Sequence, residues 1–552
     1  MYLSRSFTLR ALCAATLAIS YSATTLAGGF DLPTIAASHQ GTSNANGAEA
    51  IDPSVIYYNP AGLTRLRGLQ VSQGFSLLAL RGKVEDMGSY GTPAINEPGN
   101  SAEGRPLAGE PYSNGAPGSF WPKVLGAGGL FVSMPVDDML TVGLGIFAPG
   151  GGNLNYKSDW AGAYQAENVA IELININPSA GIRFDDKHSI GFGVSIIGGH
   201  LRQKTQIDVA GVGPYLFRPV IQNANFGTLD PGLTLGQLTD GLCGVGPLCD
   251  ITIGTITDPL LLTDALASLG AGAIVDPESN GSGKVEMYGY GFGYNLGYMY
   301  NFSDKTRMGI AYRSESKIKL RGDLEWQLDN LNGTPSGNLI IAAINGGDGN
   351  LQDYLRNYLR PDTTAKGNLK LPSRLSVNFF HELTDKIDLL MDYTFIESSI
   401  VDEIRVAFSD RTDPDGNTVK QGDGAVYTKW KDSFKVSVGA NYHLNDALTL
   451  RTGFQFDKTP VPSPEFRHPG APDSDRYMYS VGANYKVDKE ISIDAAYSIV
   501  FLEDSLSNYR DPCRGVSNEN DGSSCTGNGG GFRGKFSDTS IQVLSLQMNK
   551  KF

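Results

Sequence analysis

The sequence predicts an all-β chain folded as a transmembrane antiparallel barrel of about fourteen strands, with its lumen plugged by an N-terminal hatch. Three observations predict it. Apolar and polar residues alternate at period two in run after run; the connections between runs alternate between tight and long; and no stretch after the N-terminus approaches the roughly 18 to 20 continuous apolar residues of a membrane helix.

At the N-terminus, Arg5 and Arg10 precede the apolar run Ala11–Ile19 and then Thr25-Leu26-Ala27, the order of a secretory signal ending in a small-residue cleavage site. The apolar run is too short for a spanning anchor, so residues 1–27 are expected to be removed and the mature chain to begin at Gly28. The formal charge of the full chain is −13, and the signal carries two arginines and no acid, so the mature chain is more acidic still. That excludes nucleic acid as a natural partner, since phosphate recognition wants a basic surface. The 68 Gly, 25 Tyr and 24 Phe describe aromatic residues diluted by small and polar ones, the average of a wall that faces lipid at every second position.

The alternation is explicit in Phe434, Val436, Val438, Ala440 and Tyr442, separated by Lys435, Ser437, Gly439 and Asn441. It returns in Tyr288, Tyr290, Phe292, Tyr294, Leu296, Tyr298 and Tyr300, whose opposite face is nearly all glycine and asparagine. Such runs begin near Leu69, Lys123, Met139, Gln165, His188, Lys284, Lys305, Gly367, Lys386, Val426, Ala447, Asp475, Glu490 and Gly534, an even number as a single-chain bacterial barrel requires. Tight connections fall at residues 136–138, 185–187, 303–305, 384–386, 444–446 and 487–489, each with an Asp or Asn. Long Gly/Pro-rich connections lie between them, the longest over 208–283 and 322–366, and a two-sheet soluble sandwich would not produce that alternation. The last strand carries Leu544, Leu546 and Met548 on one face and ends on Phe552, similar to the C-terminal signature of outer-membrane proteins.

A barrel of this size encloses more space than inward side chains fill. The segment 28–68 is polar and small, has no period, and contains turn-forming Asp52-Pro53 and Asn59-Pro60-Ala61, so it is the expected plug, with residues 69–552 as the barrel. Asn59-Pro60-Ala61 is read as a hatch turn; an aquaporin would need two such triplets on half-helices inside membrane helices.

At this point the chain resembles the FadL-type outer-membrane transporters of long-chain fatty acids, which include TodX-like importers of aromatic hydrocarbons. The residues carrying the resemblance are Ala27-Gly28-Gly29-Phe30, the run Ala50–Thr64, Leu371-Pro372-Ser373-Arg374, the run Asp388–Ser398, Leu450–Phe454, Thr459-Pro460-Val461-Pro462 and Ala471–Arg476, spread over the whole mature chain. The resemblance implies a fourteen-stranded, hatch-plugged barrel in the outer membrane of a Gram-negative bacterium that passes hydrophobic molecules, fatty acids first, by passive diffusion. It also implies an extracellular groove in the long loops, where apolar Asp258–Leu262 and Leu339–Ile344 either capture ligand or pack on themselves, and a kinked third strand that opens the wall sideways. That lateral gate is carried to Pro149, Gly150, Gly151 and Gly152, where a proline and three glycines remove a ladder donor and stiffening side chains; the plain alternative is a loop that starts early.

Inward positions are expected to be polar, so Phe147, Ile197, Met299, Phe380, Leu390, Met478 and Val500, which break their strands' parity, are candidates with Phe30 to line an apolar ligand pocket. Packing against the hatch, or a bulge that shifts parity, is the competing reading. Arg202, Lys204 and Arg313 are candidates for a ligand carboxylate, or equally for lipopolysaccharide phosphates. Cys13 leaves with the signal; Cys243 with Cys249, and Cys513 with Cys525, read as two local disulfides in long loops, metal binding being disfavoured because neither pair has a neighbouring histidine. No cofactor is implied. The expected partners are outer-membrane lipid, lipopolysaccharide, a hydrophobic small molecule and the barrel assembly machinery. An enzyme would need a nucleophile with a base in reach, and the six histidines lie mostly in turns and loops with no such neighbour. A general porin would have no long aperiodic segment before its first strand.

Overall fold

A computed structural model describes residues 35–89, 118–120, 125–156, 160–206, 281–327, 357, 361–419, 421–511 and 530–552. Fourteen antiparallel strands close into a barrel. They are β1 (Gln70–Asp86), β2 (Leu125–Pro135), β3 (Leu140–Phe147, resuming at Gly151–Asn155), β4 (Asn168–Arg183), β5 (His188–Gln206), β6 (Ser282–Asn301), β7 (Thr306–Arg313 and Ser316–Gln327) and β8 (Thr363–Leu371 and Arg374–Thr384). Then follow β9 (Ile387–Ile396 and Glu403–Phe408), β10 (Gly424–Tyr427 and Ser433–His443), β11 (Leu448–Asp457), β12 (Arg476–Lys486), β13 (Ile491–Leu502 and Ser505–Arg510) and β14 (Gly531–Lys551). The ring closes where β14 pairs with β1 from Gln70↔Lys551 to Asp86↔Gly534, so neither edge is left unpaired. No helix of the described residues is long and apolar enough to cross a membrane.

The tight turns repeat one device. Asp137 Oδ1 accepts from the backbone N–H of Met139 and Leu140 at 2.8 and 2.7 Å, Asp185 from Lys187 and His188, Asn445 from Ala447 and Leu448, and Asp488 from Glu490 and Ile491. Ser303 and Thr384 use hydroxyls in the same position. Accepting two amides stabilises the charged carboxylate, so Asp137 and Asp185 are held below the ordinary aspartate pKa.

The side of the wall each residue faces follows parity. Tyr288, Tyr290, Phe292, Tyr294 and Leu296 of β6 are exposed to the outside, while Asn295 and Met299 on the opposite parity are buried. Several strands are interrupted on the long-loop half of the barrel, and most interruptions switch the parity. In β7 the buried inward set is Arg307 and Ala311 below Ser314-Glu315, and Ser316, Ile318, Leu320 and Leu324 above it. Polarity inverts together with parity: below the break the wall is apolar outside and polar inside, above it the reverse. For that reason the residues 322–327 and 363–366, expected as loop, are strand; their alternation continues with the opposite sign.

Residues 35–66 lie inside the barrel. They form two one-turn helices, α1 (Ala37–Gln40) and α2 (Val55–Tyr58), and a 3-10 turn over Pro60–Arg65. The expected hatch turn is the start of that 3-10 element: the Asn59 side chain accepts from Ala61 N at 3.1 Å with Pro60 in the first position, where its missing N–H costs nothing. Inward polar side chains hold the segment from every quarter of the wall. Gln40 donates to Ser498 at 3.0 Å, Ser43 to Ser480 at 2.8 Å, Arg307 to the carbonyl oxygens of Ala48 and Glu49, Asn441 to Glu49 at 2.7 Å and Gln547 to Asp52 at 3.1 Å. Where chain crosses wall most closely, only glycine fits: a Cβ at Gly191 would sit 2.2 Å from the Pro60 carbonyl carbon. The signal segment and Phe30 lie outside the described residues.

Candidate functional site

The third strand fails where its proline and glycines stand. β3 pairs with β2 only up to Gly129↔Phe147 and resumes pairing with β4 at Gly151↔Glu172. Among the described strands its upper piece has no partner on the β2 side. Gly151 takes φ +146°, a conformation closed to other residues without strain. A cavity of about 970 Å³ borders this break, lined by lumen-facing Phe147, Leu173 and Gly199 and by lipid-facing Phe75, Leu130 and Ile174, so it touches both faces of the wall. Phe147 stands at its inner side, stacked on Phe131 with centroids 5.5 Å apart and edge-on to Tyr57 of α2 at 5.3 Å.

A second cavity lies above the internal segment. Its basic side includes Arg313 at the top of lower β7, Arg374 immediately after the Pro372-Ser373 break in β8, and Lys435 of β10, beside Lys458 and Arg476, which are paired with Asp475 and Asp457. Arg313 donates to Ser195 Oγ at 3.2 Å and to the Tyr57 carbonyl oxygen at 3.0 Å, and its guanidinium lies 4.9 Å from the Tyr57 ring centroid. Arg374 donates to the Tyr57 hydroxyl at 3.1 Å, and Lys435 stands 3.3 Å from Asp457. The other side is apolar: Ile197, Leu371, Ile396 and Trp430, with Pro149 of the β3 break at the margin. The chamber therefore offers cations at one end and greasy wall at the other, and it reaches the residues that interrupt β3.

Each expected lining residue except Phe30, which lies outside the described residues, points inward and is buried, but they divide into two groups. Ile197, Met478 and Val500 belong to the apolar cluster of the upper lumen with Met287, Ile318, Leu320 and Trp430. Phe147 and Met299 pack on Ile56 and Leu63 of the internal segment, and Phe380 and Leu390 pack on Ala45 and Ala48. Arg313 lies in the chamber. Arg202 and Lys204 do not: β5 keeps one parity from Ser189 to Leu201, which puts both on the outward set, bonded to Asn168 and Glu167 respectively. Arg374, Lys435 and Tyr57 carried no role in the sequence reading, although a cation on an inward position was the available signal. Both cysteine pairs, and the apolar runs at 258–262 and 339–344, lie outside the described residues. No group of His, Cys, Asp and Glu among the described residues could hold a metal ion.

The connection from β11 to β12 folds over the barrel mouth. Tyr156, just past β3, donates to the Pro469 carbonyl oxygen at 2.6 Å, and Arg467 donates to the Asp473 carbonyl oxygen at 2.8 Å while its own carbonyl accepts from Ser507 at 2.6 Å. The His468 ring meets Tyr509 edge-on at 4.6 Å and accepts the Gly470 N–H, and burial pushes its pKa down to about 3.

A family model described as outer membrane protein transport protein (OMPP1/FadL/TodX) matches residues 18–552. The chain belongs to that family. A putative outer membrane protein of Neisseria meningitidis serogroup B is 26% identical over 485 residues, covering 87% of each chain. The long-chain fatty acid transport protein of Escherichia coli K12 is 24% identical over 501 residues, 89% of this chain and 91% of that one. In fold, a FadL homologue of Pseudomonas aeruginosa superposes with a TM-score of 0.66 at 22% identity, covering 95% of this chain and 99% of that one. The toluene transporter TodX of Pseudomonas putida gives 0.54 at 17%, covering 91% and 94%. Like the rest of the FadL/TodX family, the chain is a transport channel for hydrophobic molecules in the outer membrane of Gram-negative bacteria and not an enzyme.

Proposed function

We propose that the transported molecule is a long-chain fatty acid, bound in the upper chamber with its carboxylate on Arg313, Arg374 and Lys435 and its chain along Ile197, Leu371, Ile396 and Trp430. The observation that carries this reading is the meeting of cations, Arg313, Arg374 and Lys435 among them, with an apolar wall in one cavity: an aromatic hydrocarbon needs the wall alone, and a half-buried guanidinium pair there favours an acid. Met478 and Val500 extend the same apolar lining. The ligand then passes Phe147 and leaves sideways through the interruption at Pro149, Gly150, Gly151 and Gly152, with residues 28–68 acting as a hatch that blocks the straight route to the periplasm. Cleavage after Ala27, disulfides within Cys243/Cys249 and Cys513/Cys525, assembly by the barrel machinery and contact with lipopolysaccharide complete the proposal.

The test is displacement of a fluorescent fatty-acid probe from the purified barrel by oleate and by toluene, with Arg313→Gln combined with Arg374→Gln. Charged hydrogen bonds contribute roughly 1.5–3 kcal/mol each, so losing both should weaken oleate by about two to four orders of magnitude while toluene is unchanged. Toluene binding without oleate binding would move the protein to the hydrocarbon branch, to which the fold of the toluene transporter draws attention. Ion conductance with no saturable binding of either would favour a porin.

A further inference from the structure

We infer that the outward face of upper β7 and β8 is a docking site for a phosphorylated glycolipid of the outer leaflet, that is, for the phosphates of lipopolysaccharide. Above the break in β7, three successive outward positions are Lys317, Lys319 and Arg321, all exposed, and the facing outward positions of β8 include Lys366 and Lys370. The register sets like charge against like charge: Lys317 is directly opposite Lys370, and Arg321 directly opposite Lys366. Opposed cations on neighbouring strands destabilise a sheet. Among the described residues neither pair is neutralised by an acid. Lys370 Nζ donates to the Ile400 carbonyl oxygen at 3.0 Å, and among the described residues Lys317, Lys319, Arg321 and Lys366 form no ion pair. Such a patch is explained by an anion that binds between the strands.

Its place on the wall says which anion. On the other flank, Lys319 is paired with Tyr290 and Arg321 with Tyr288, the upper members of the exposed aromatic row that continues down as Phe292, Tyr294 and Leu296. Below the same cations, the lipid-facing positions are Ile310 on β7 and Leu375, Val377 and Phe379 on β8. The patch thus sits where an aromatic belt ends and the long-loop half begins, at the height of outer-leaflet headgroups. Of the acids on this face, Asp323, Glu325 and Glu286 lie farther toward the loops, with Glu286 paired to Lys284 at 2.8 Å and to His200, and exposed Glu315 stands in the break just below Lys317. A lipid whose phosphates reach Lys317, Lys319, Arg321 and Lys366 while its acyl chains run down the row from Tyr290 satisfies both chemistries at once. This site is outside the lumen and independent of which molecule is transported.

The full-length barrel in nanodiscs, titrated with diphosphorylated lipid A and followed by native mass spectrometry, tests it. Lys317→Gln/Lys319→Gln/Arg321→Gln/Lys366→Gln should weaken lipid A binding at least tenfold, and dephosphorylated lipid A should bind the unaltered protein equally weakly. In lipid-free detergent, the same variant should resist heat at least as well as the parent, because two like-charge pairs have been removed. Unchanged lipid A binding by the variant, or phosphatidylglycerol binding as tight as that of lipid A, would overturn the inference, as would a variant that melts well below the parent in lipid-free detergent.

Discussion

Arg451 of β11 reaches over β12 to place its guanidinium 2.6 Å from the Asp494 carboxylate of β13, and the same nitrogen donates to the Ser38 carbonyl oxygen of α1 at 2.9 Å. Both side chains are almost fully buried, at 5% and 1% exposure, so one ion pair fastens the internal segment to two strands that the chain places far from it. Removing one partner of such a pair strands a charge in low dielectric. Arg451→Leu should therefore cost about 3–5 kcal/mol in urea unfolding of the detergent-solubilised barrel, and Arg451→Leu/Asp494→Leu much less. Equal losses in the single and double variants would show that the pair is not what holds this contact.

Close approach of backbone to backbone gives a second expectation. A Cβ on Gly453 of β11 would lie 2.2 Å from the Thr42 carbonyl carbon, just as one on Gly191 would strike Pro60. Gly191→Leu/Gly453→Leu should push residues 35–66 off the wall while leaving the strand ladder intact. The readout is single-channel conductance in planar bilayers, which should rise from a closed baseline to porin-like steps. A barrel that still folds and stays closed would mean that the segment tolerates displacement without opening the lumen.

Ala148 stands in the interruption of β3, beside the cavity that borders both faces of the wall. Ala148→Trp should fill the passage without reaching Arg313. Oleate affinity of the purified protein should then hold within about threefold, while oleate uptake by cells depending on this channel falls at least tenfold. Uptake at the parental rate would place the exit elsewhere.

Acid should loosen the mouth. His468 is buried and neutral, its pKa pushed from 6.5 to about 3, so the folded form binds fewer protons than the unfolded one below pH 6.5. Stability from this group is present above pH 6.5 and is lost as pH falls toward 3, amounting to about 2 kcal/mol by pH 5. Hydrogen exchange of residues 459–474, corrected for intrinsic rates, should accelerate between pH 7 and 5, and His468→Asn should flatten that dependence. Protection that does not change with pH would exclude His468 as the cause.

Much of this was legible beforehand because alternation at period two is a local property. The strand starts fall within a few residues of expectation, the largest difference being Thr363 against Gly367, and Asp137, Asp185 and Asp488 stand in the expected turns where each accepts two amides. The same local rule identified Ile197, Met478 and Val500 as inward. It failed where polarity inverted. Upper β7 and β8 carry leucines inside and lysines outside, the reverse of a membrane strand, and so resembled loop.

The sequence by itself determined a closed all-β wall, its strand number and, below the strand breaks, the side each residue faces, since these follow from parity and turn chemistry over a few neighbouring residues. Only the tertiary structure decided which inward residues meet. Phe147, Met299, Phe380 and Leu390 face the internal segment, whereas Ile197 shares a chamber with Arg313, Arg374 and Lys435. Those partners come from β5, β7, β8 and β10, more than two hundred positions apart along the chain at the extremes, and barrel closure and strand register, not any local pattern, bring them to one cavity.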